Sequence, residues 1–212
     1  MQDTVLNDSP YIALPSEEVV VKTMKSLEER GIASSLYQNR EAALEALKKM
    51  IPEGASIVNG SSRTLEEIGF IEFLKSGSHP WNNLQEKIVE ESDREKQTLL
   101  RKKSVADYFT GSVHAVAETG ELIIASGSGS QLPPLVFTAS NVLLVVGVQK
   151  ITSDLSSGIA RLKEYVYPLE DERMKSVGMG GSVLSKLLII NSEPAFMGRT
   201  FHVLFVNEKL GF

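Results

Sequence analysis

The stretch VHAVAETGELIIASGSGSQLPPLVFTASNVLLVVGVQK, residues 113–150, decides how the rest of the chain is read. Two short apolar runs, VHAVA and LIIA, flank a Glu118-Thr119-Gly120-Glu121 corner short enough to close a β-hairpin. A Gly/Ser loop follows, Gly127-Ser128-Gly129-Ser130-Gln131, and then Pro133-Pro134. Prolines fit only in the first turn of a helix, which fixes where the next helical piece begins. The stretch closes on VLLVVGV, a continuous aliphatic run of the kind seen in strands covered on both faces. The order is strand, turn, strand, loop, helix, strand, with Lys150 closing the last strand. In open parallel sheets ligands bind just past the carboxyl ends of strands, which places the expected site here.

Working outward, residues 1–14 mix Asp, Asn, Ser and Pro with scattered apolar groups and read as an N-terminal arm; residues 15–212 read as a single α/β domain. Pro15 and Ser16 open a helix with Glu17 and Glu18 at the positive end of its dipole. Val20, Met24 and Leu27 repeat on one face of it, and Gly31 ends it. IASSLYQ is a strand, and EAALEALKKM a second helix with Leu44, Leu47 and Ile51 on one stripe, broken by Pro52 and Gly54. Residues 55–60, ASIVNG, form a strand that runs into the loop Asn59-Gly60-Ser61-Ser62-Arg63. Thr64 and Glu67 are placed to form a capping box on the helix after it.

Residues 84–103 read as one long, heavily charged helix, either solvated or crossing to a partner subunit. Beyond the central stretch, Leu155, Ile159, Leu162 and Val166 make an amphipathic stripe that Pro168 is expected to stop. Residues 169–181, charged and then glycine-rich, read as a mobile surface loop; KLLIIN and TFHVLFVN are two further strands, and the aliphatic LLII run, like VLLVVGV, is expected to be covered on both faces. The alternation of helices and strands predicts a three-layer α/β fold, a mostly parallel sheet with helices on both faces and one hairpin.

A net charge of -5 argues against a nucleic-acid binder, which needs a basic stripe to offset phosphates. No apolar run is long enough to span a membrane, and the N-terminus lacks the regions of a signal peptide, so the expectation is a cytoplasmic protein. With no cysteine there is no disulfide, thiolate metal site or cysteine nucleophile. His79, His114 and His202 have no zinc-site or triad spacing, and no metal site is expected. No cofactor can be named: the Gly127–Gly129 loop lacks the third glycine of a dinucleotide fingerprint.

Three features offer chemistry. Asn59, Gly60, Ser61, Ser62 and Arg63, and separately Gly127, Ser128, Gly129, Ser130 and Gln131, combine hydroxyls and glycine-exposed amides that suit an anion. Each loop reads equally as an ordinary tight connection. Glu118, at a tight turn, is a candidate nucleophile or general base; the plain alternative is a solvent-exposed turn residue. Lys150 can pair with an anion or be a solvated strand-end lysine.

The segment from Ala115 to Lys175, above all its A-E-T-G-E-L corner and V-V-G-V-Q-K-I strand end, resembles the LUD, or lactate-utilisation, domain family, and so does the terminal FHVLFVNEKLGF. The resemblance implies a fold like that of sugar-phosphate isomerases and CoA-transferases. It also implies a link to oxidation of lactate to pyruvate beside iron–sulfur partner proteins. Similar single-domain proteins carry a cysteine cluster before the final strands, where this chain has none. The corner is also similar to the one that holds the catalytic glutamate of CoA-transferases, with Thr119 where those enzymes have asparagine.

Three functions follow as expectations. The first is a lactate-utilisation-type protein binding a small anionic metabolite through the two loops, or partner subunits, or both. The second is an acyl- or CoA-transferase-like or sugar-phosphate-isomerase-like enzyme using Glu118. The third is a non-catalytic homo-oligomer joined through residues 84–103.

Overall fold

β7 (Asn141–Gly147) and β10 (Thr200–Val206) lie side by side and parallel, in register from Thr200 against Asn141 to Val206 against Gly147. Their side chains alternate between two apolar layers. Val142, Leu144, Val146, Phe201, Val203 and Phe205 enter one buried cluster, and Leu143, Val145, Leu204 and Val206 enter another. At these positions both faces of the pair are dry, as the continuous aliphatic VLLVVGV run predicts for β7. The structure, a computed structural model, describes residues 9–212; residues 1–8 of the expected N-terminal arm lie outside the described residues.

The pair sits inside a six-stranded, all-parallel sheet of order β1-β10-β7-β4-β2-β3, completed by β1 (Ala33–Tyr37), β2 (Ser56–Asn59), β3 (Asn82–Asn83) and β4 (Tyr108–Gly111). On one face lie α2 (Arg40–Met50), α3 (Arg63–Glu67) and α4 (Phe70–Lys75), which bury Leu47, Leu65 and Phe70 against Leu143 and Leu204. On the other lies α1 (Glu17–Glu29), capped by Ser16 and burying Val20 and Leu27.

A second sheet packs into that same layer through Val116, Leu122 and Ile124. Its order is β8-β5-β6-β9, from β5 (Ala115–Ala117), β6 (Leu122–Ser126), β8 (Ile151–Thr152) and β9 (Lys186–Ile190). The expected hairpin is the antiparallel β5–β6 pair. Its corner needs Gly120, whose φ of 96° is left-handed and which approaches the Arg30 side chain and the Ser26 carbonyl too closely for a Cβ. The far side of this sheet is covered by a helix that includes Leu162 and Val166. Among the described residues no helix is long and apolar enough to cross a membrane.

Five local expectations are corrected. Residues 84–103 are two helices, α5 (Leu84–Glu90) and α6 (Arg94–Lys103), because the Asp93 carboxylate caps a new helix by accepting from the Glu95 and Lys96 N–H groups. The cap of α3 is Ser62, whose Oγ accepts from the Leu65 N–H, rather than a Thr64–Glu67 box; Thr64 is buried elsewhere in the site. Pro168 does not stop its helix. α7 (Leu155–Arg161) passes through a wide π-helical turn, Leu162–Val166, into α8 (Tyr167–Ser176), and Pro168 sits where that turn has already opened the hydrogen-bond ladder. Most of the stretch expected as a surface loop is thus α8. Finally, the LLII run is not covered on both faces: β9 is the edge of the second sheet, and Leu187 is exposed.

Beyond β7 the chain turns through a 3-10 segment, Val148–Lys150, under the returning residues 207–212. The Gln149 Nε2 donates to the Leu210 carbonyl at 2.8 Å. Gly147 makes this closure possible, since a Cβ there would lie 2.7 Å from the Glu208 carbonyl oxygen and 2.8 Å from the Leu210 nitrogen. Those neighbours are backbone and cannot swing aside. Gly147→Ala is therefore expected to destabilise the fold by about 1–3 kcal/mol, read as a lower urea midpoint at unchanged slope.

Candidate functional site

Three strands of the parallel sheet end together. β2 delivers the Asn59–Arg63 loop, β4 delivers Ser112, and β7 with its short turn delivers Lys150. From the second sheet, β6 delivers the Gly127–Gln131 loop to the same rim. The two loops touch: a Cβ on Gly60 would lie 2.6 Å from Gln131 Oε1 and 3.3 Å from the Phe109 ring. Gln131 is held there by its Nε2, which donates to the Ala125 carbonyl at 3.2 Å.

Between them is a cavity of about 840 Å³, lined by Asn59, Gly60, Ser61, Ser62, Arg63, Gly127, Ser128, Ser130, Gln131 and Lys150. That is towards the upper end of the roughly 300–1,000 Å³ usual for ligand pockets. Its remaining walls mix apolar residues, among them Ile88 and Val89 of α5, Met174, Met179 and Leu184, with polar and charged ones such as Glu86, Glu90 and Arg101. The charged wall residues Arg63 and Arg173 are each paired locally, with Glu66 and Glu170.

Two candidate residues stand apart. Gly129 does not line the cavity; its N–H is taken by Ser126 Oγ at 2.9 Å, and the Ser130 N–H by Ser128 Oγ, so the loop partly folds onto itself. The Gly60 N–H is likewise used, by the Thr110 carbonyl. Hydroxyls rather than those amides are what these positions offer to a ligand. Glu118 is not at the rim at all. Its corner packs on α1, and its carboxylate pairs with Lys22 at 2.8 Å, while Arg30 holds the Thr119 carbonyl and the Glu121 carboxylate. The two loops and Lys150 thus share one cavity, and the acidic corner proposed as a catalytic position lies outside it.

Lys150 is not a solvated strand-end lysine. It is 2% exposed, and its Nζ lies 2.9 Å from Thr64 Oγ1, 3.2 Å from Ser112 Oγ and 3.1 Å from the Val113 carbonyl oxygen. Burial, reinforced by the nearby Arg161 charge and only partly opposed by Glu67, brings its pKa down to about 7. The protonated and neutral amines are therefore both populated near neutrality.

Two further residues escape a reading of the sequence. His114 lines the cavity, and its Nδ1 accepts the Ala125 N–H at 3.0 Å. Burial, with Lys150 and Arg161 nearby, pushes its pKa to about 3. The ring is neutral, and with Nδ1 engaged as an acceptor its proton is on Nε2. Arg161, on α7, is wholly buried; it donates to the His114 carbonyl and its guanidinium lies 5.3 Å from the Tyr165 ring centroid. Its Nε and Nη2 have no partner among the described residues, and burial lowers its pKa to about 10. The one available signal was its place among Gly158, Leu162 and Tyr165 on the buried face of an amphipathic helix. Among the described residues no group of three His, Asp or Glu side chains is placed to hold a metal ion.

Comparison with known proteins adds a family and a fold. A family model described as LUD domain matches residues 20–206. The crystal structure of a DUF162 family protein from Deinococcus radiodurans at 1.70 Å resolution superposes with a TM-score of 0.54 at 13% identity, covering 92% of this chain and 98% of that chain. At that identity the likeness is one of fold. No match is found among curated proteins.

The lowered Lys150 pKa has a measurable consequence for stability. Between about pH 7 and the ordinary lysine value of 10.5, the unfolded chain holds a proton on this amine that the folded chain has released. Folding is accordingly favoured more as pH rises through that window. Lys150→Met removes the effect, so the stability of the natural protein measured against that variant is expected to increase from pH 7 to pH 10 in paired urea titrations.

Proposed function

Because the chain belongs to the LUD domain family, a lactate-utilisation type of domain, we propose that its cavity binds a small anionic metabolite of the hydroxy- or oxo-carboxylate class. The observation that carries this reading is that two hydroxyl-rich loops and a buried lysine, remote in sequence, line one cavity. A carboxylate there meets serine hydroxyls at the rim and takes one N–H of the Lys150 ammonium at the floor in place of the Thr64 or Ser112 hydroxyl. Hydrogen bonds to charged groups are the stronger kind, contributing about 1.5–3 kcal/mol each. The electrostatics point the same way. Lys150 and Arg161 are buried close to one another, and the Glu67 carboxylate that bears on Lys150 accepts from the Gly211 N–H. A bound anion would offset that unbalanced positive charge and raise the proton affinity of Lys150.

The resemblance of the central segment to that family also supports a role beside iron–sulfur partner proteins in lactate-to-pyruvate oxidation. Acyl or CoA transfer through Glu118 has no comparable support, since that carboxylate lies outside the cavity on Lys22.

Isothermal titration with lactate, pyruvate, ribose 5-phosphate and acetyl-CoA tests the proposal. A monocarboxylate is expected to bind at one site per chain, and Lys150→Met to weaken it by about tenfold to a hundredfold, the equivalent of one charged hydrogen bond. Affinity is expected to fall as pH rises above 7, by up to about tenfold per unit, as the ammonium is lost. Silence across the panel, or unchanged affinity in the variant, would remove the reading.

A further inference from the structure

We infer that Lys150 is also a nucleophile, forming an imine with a small 2-oxo acid held in the cavity. The inference rests on the reading of the cavity as a carboxylate site and names the ligand class more narrowly. An imine-forming lysine needs an amine that is fixed, within reach of the ligand, and flanked by groups that move protons. Lys150 lines the cavity, and contacts to Thr64 Oγ1, Ser112 Oγ and the Val113 carbonyl hold its Nζ in place. Two of these three partners are hydroxyls, each able both to donate and to accept.

The charged groups around the amine favour its reactive form. Arg161 disfavours a second positive charge nearby, His114 is neutral, and Glu67 alone opposes them. Burial of a lysine in such surroundings is a recognised route to an amine that is neutral near pH 7.

The step balances within the site. The lone pair of the neutral Nζ adds to the oxo carbon, and the carbonyl electron pair moves onto oxygen, which takes a proton. The nitrogen gives up one proton, relayed through the Thr64 or Ser112 hydroxyl, to leave a carbinolamine. Its hydroxyl, protonated through the same relay, departs as water while the nitrogen lone pair forms the C=N bond, and the iminium N–H returns its proton to the relay to leave the imine. One water is released and nothing is oxidised or reduced. A neutral imidazole with its proton on Nε2 lines the same space and suits an oxygen acceptor on the ligand.

The test is reductive trapping on the full chain. The protein is incubated with pyruvate and sodium cyanoborohydride, digested, and mapped by mass spectrometry. The expected result is a reduced adduct concentrated on Lys150, forming faster as pH rises through about 7. Lactate, which has no carbonyl, should give none, and Lys150→Met should leave only surface labelling. Thr64→Val, which keeps the side-chain volume and removes the relay hydroxyl, should slow trapping by about tenfold or more while the far-ultraviolet dichroism is unchanged. An unmodified Lys150 beside labelled surface lysines would overturn the inference, as would trapping that slows as pH rises. Lactate titration separates the two readings. If lactate binds but pyruvate is not trapped, the nucleophile is refuted and the carboxylate site stands; if neither occurs, both fall. The pH trends also oppose each other, because lactate affinity follows the ammonium and trapping follows the free amine.

Discussion

The pairing of β7 with β10, buried on both faces, is the constraint on which the molecule depends. A strand with apolar side chains on both sides must have a covering layer above and below. Here α2, α3 and α4 supply one, and α1 with the second sheet supplies the other. That arrangement brings β5 and β6 onto the parallel sheet through Val116, Leu122 and Ile124. The Gly127–Gln131 loop then has only one place to go, across the carboxyl ends of β2, β4 and β7. The site results from the way the core is layered.

Its electrostatics result from the same layering. Lys150 ends the 3-10 turn after the buried strand β7 and is roofed by residues 207–212, so its amine meets protein oxygens rather than water. Arg161 reaches the neighbourhood from the helix over the second sheet, where it bonds the His114 carbonyl. Lys150 and the neutral His114 line the pocket, and the buried Arg161 charge on the His114 carbonyl favours a negative or electron-rich ligand there. Of the wall arginines, Arg63 and Arg173 do not add to this, because each is matched by a glutamate one helical turn away.

Much of this was legible in the chain. Periodicity identified α1, α2 and the central strands, because apolar spacing reports directly which faces are buried. The turn residues of 118–121 announced the hairpin, and the positions of the two serine-rich loops followed from strands ending in glycine and serine. Where the reading went astray, a neighbour had overridden a local preference. Pro168 looked like a stop, but a π-helical turn had already widened the backbone. Asp93 was one charge among many until its carboxylate was seen to cap α6. Glu118 had the position of a catalytic residue, but Lys22 and Arg30 of the α1 region bind its corner.

By itself, then, the sequence determined the class of fold, the hairpin, the parallel central strands and the candidate loops. These depend on short-range pattern and on burial, both of which are written into residue order. Tertiary structure alone decided that the loops share a cavity, that Lys150 is buried among Thr64, Ser112 and Val113, and that Arg161 and His114 belong to its surroundings. Those residues come from four separate parts of the chain. The environment that sets an amine's protonation is a matter of distance in space, which no local pattern encodes.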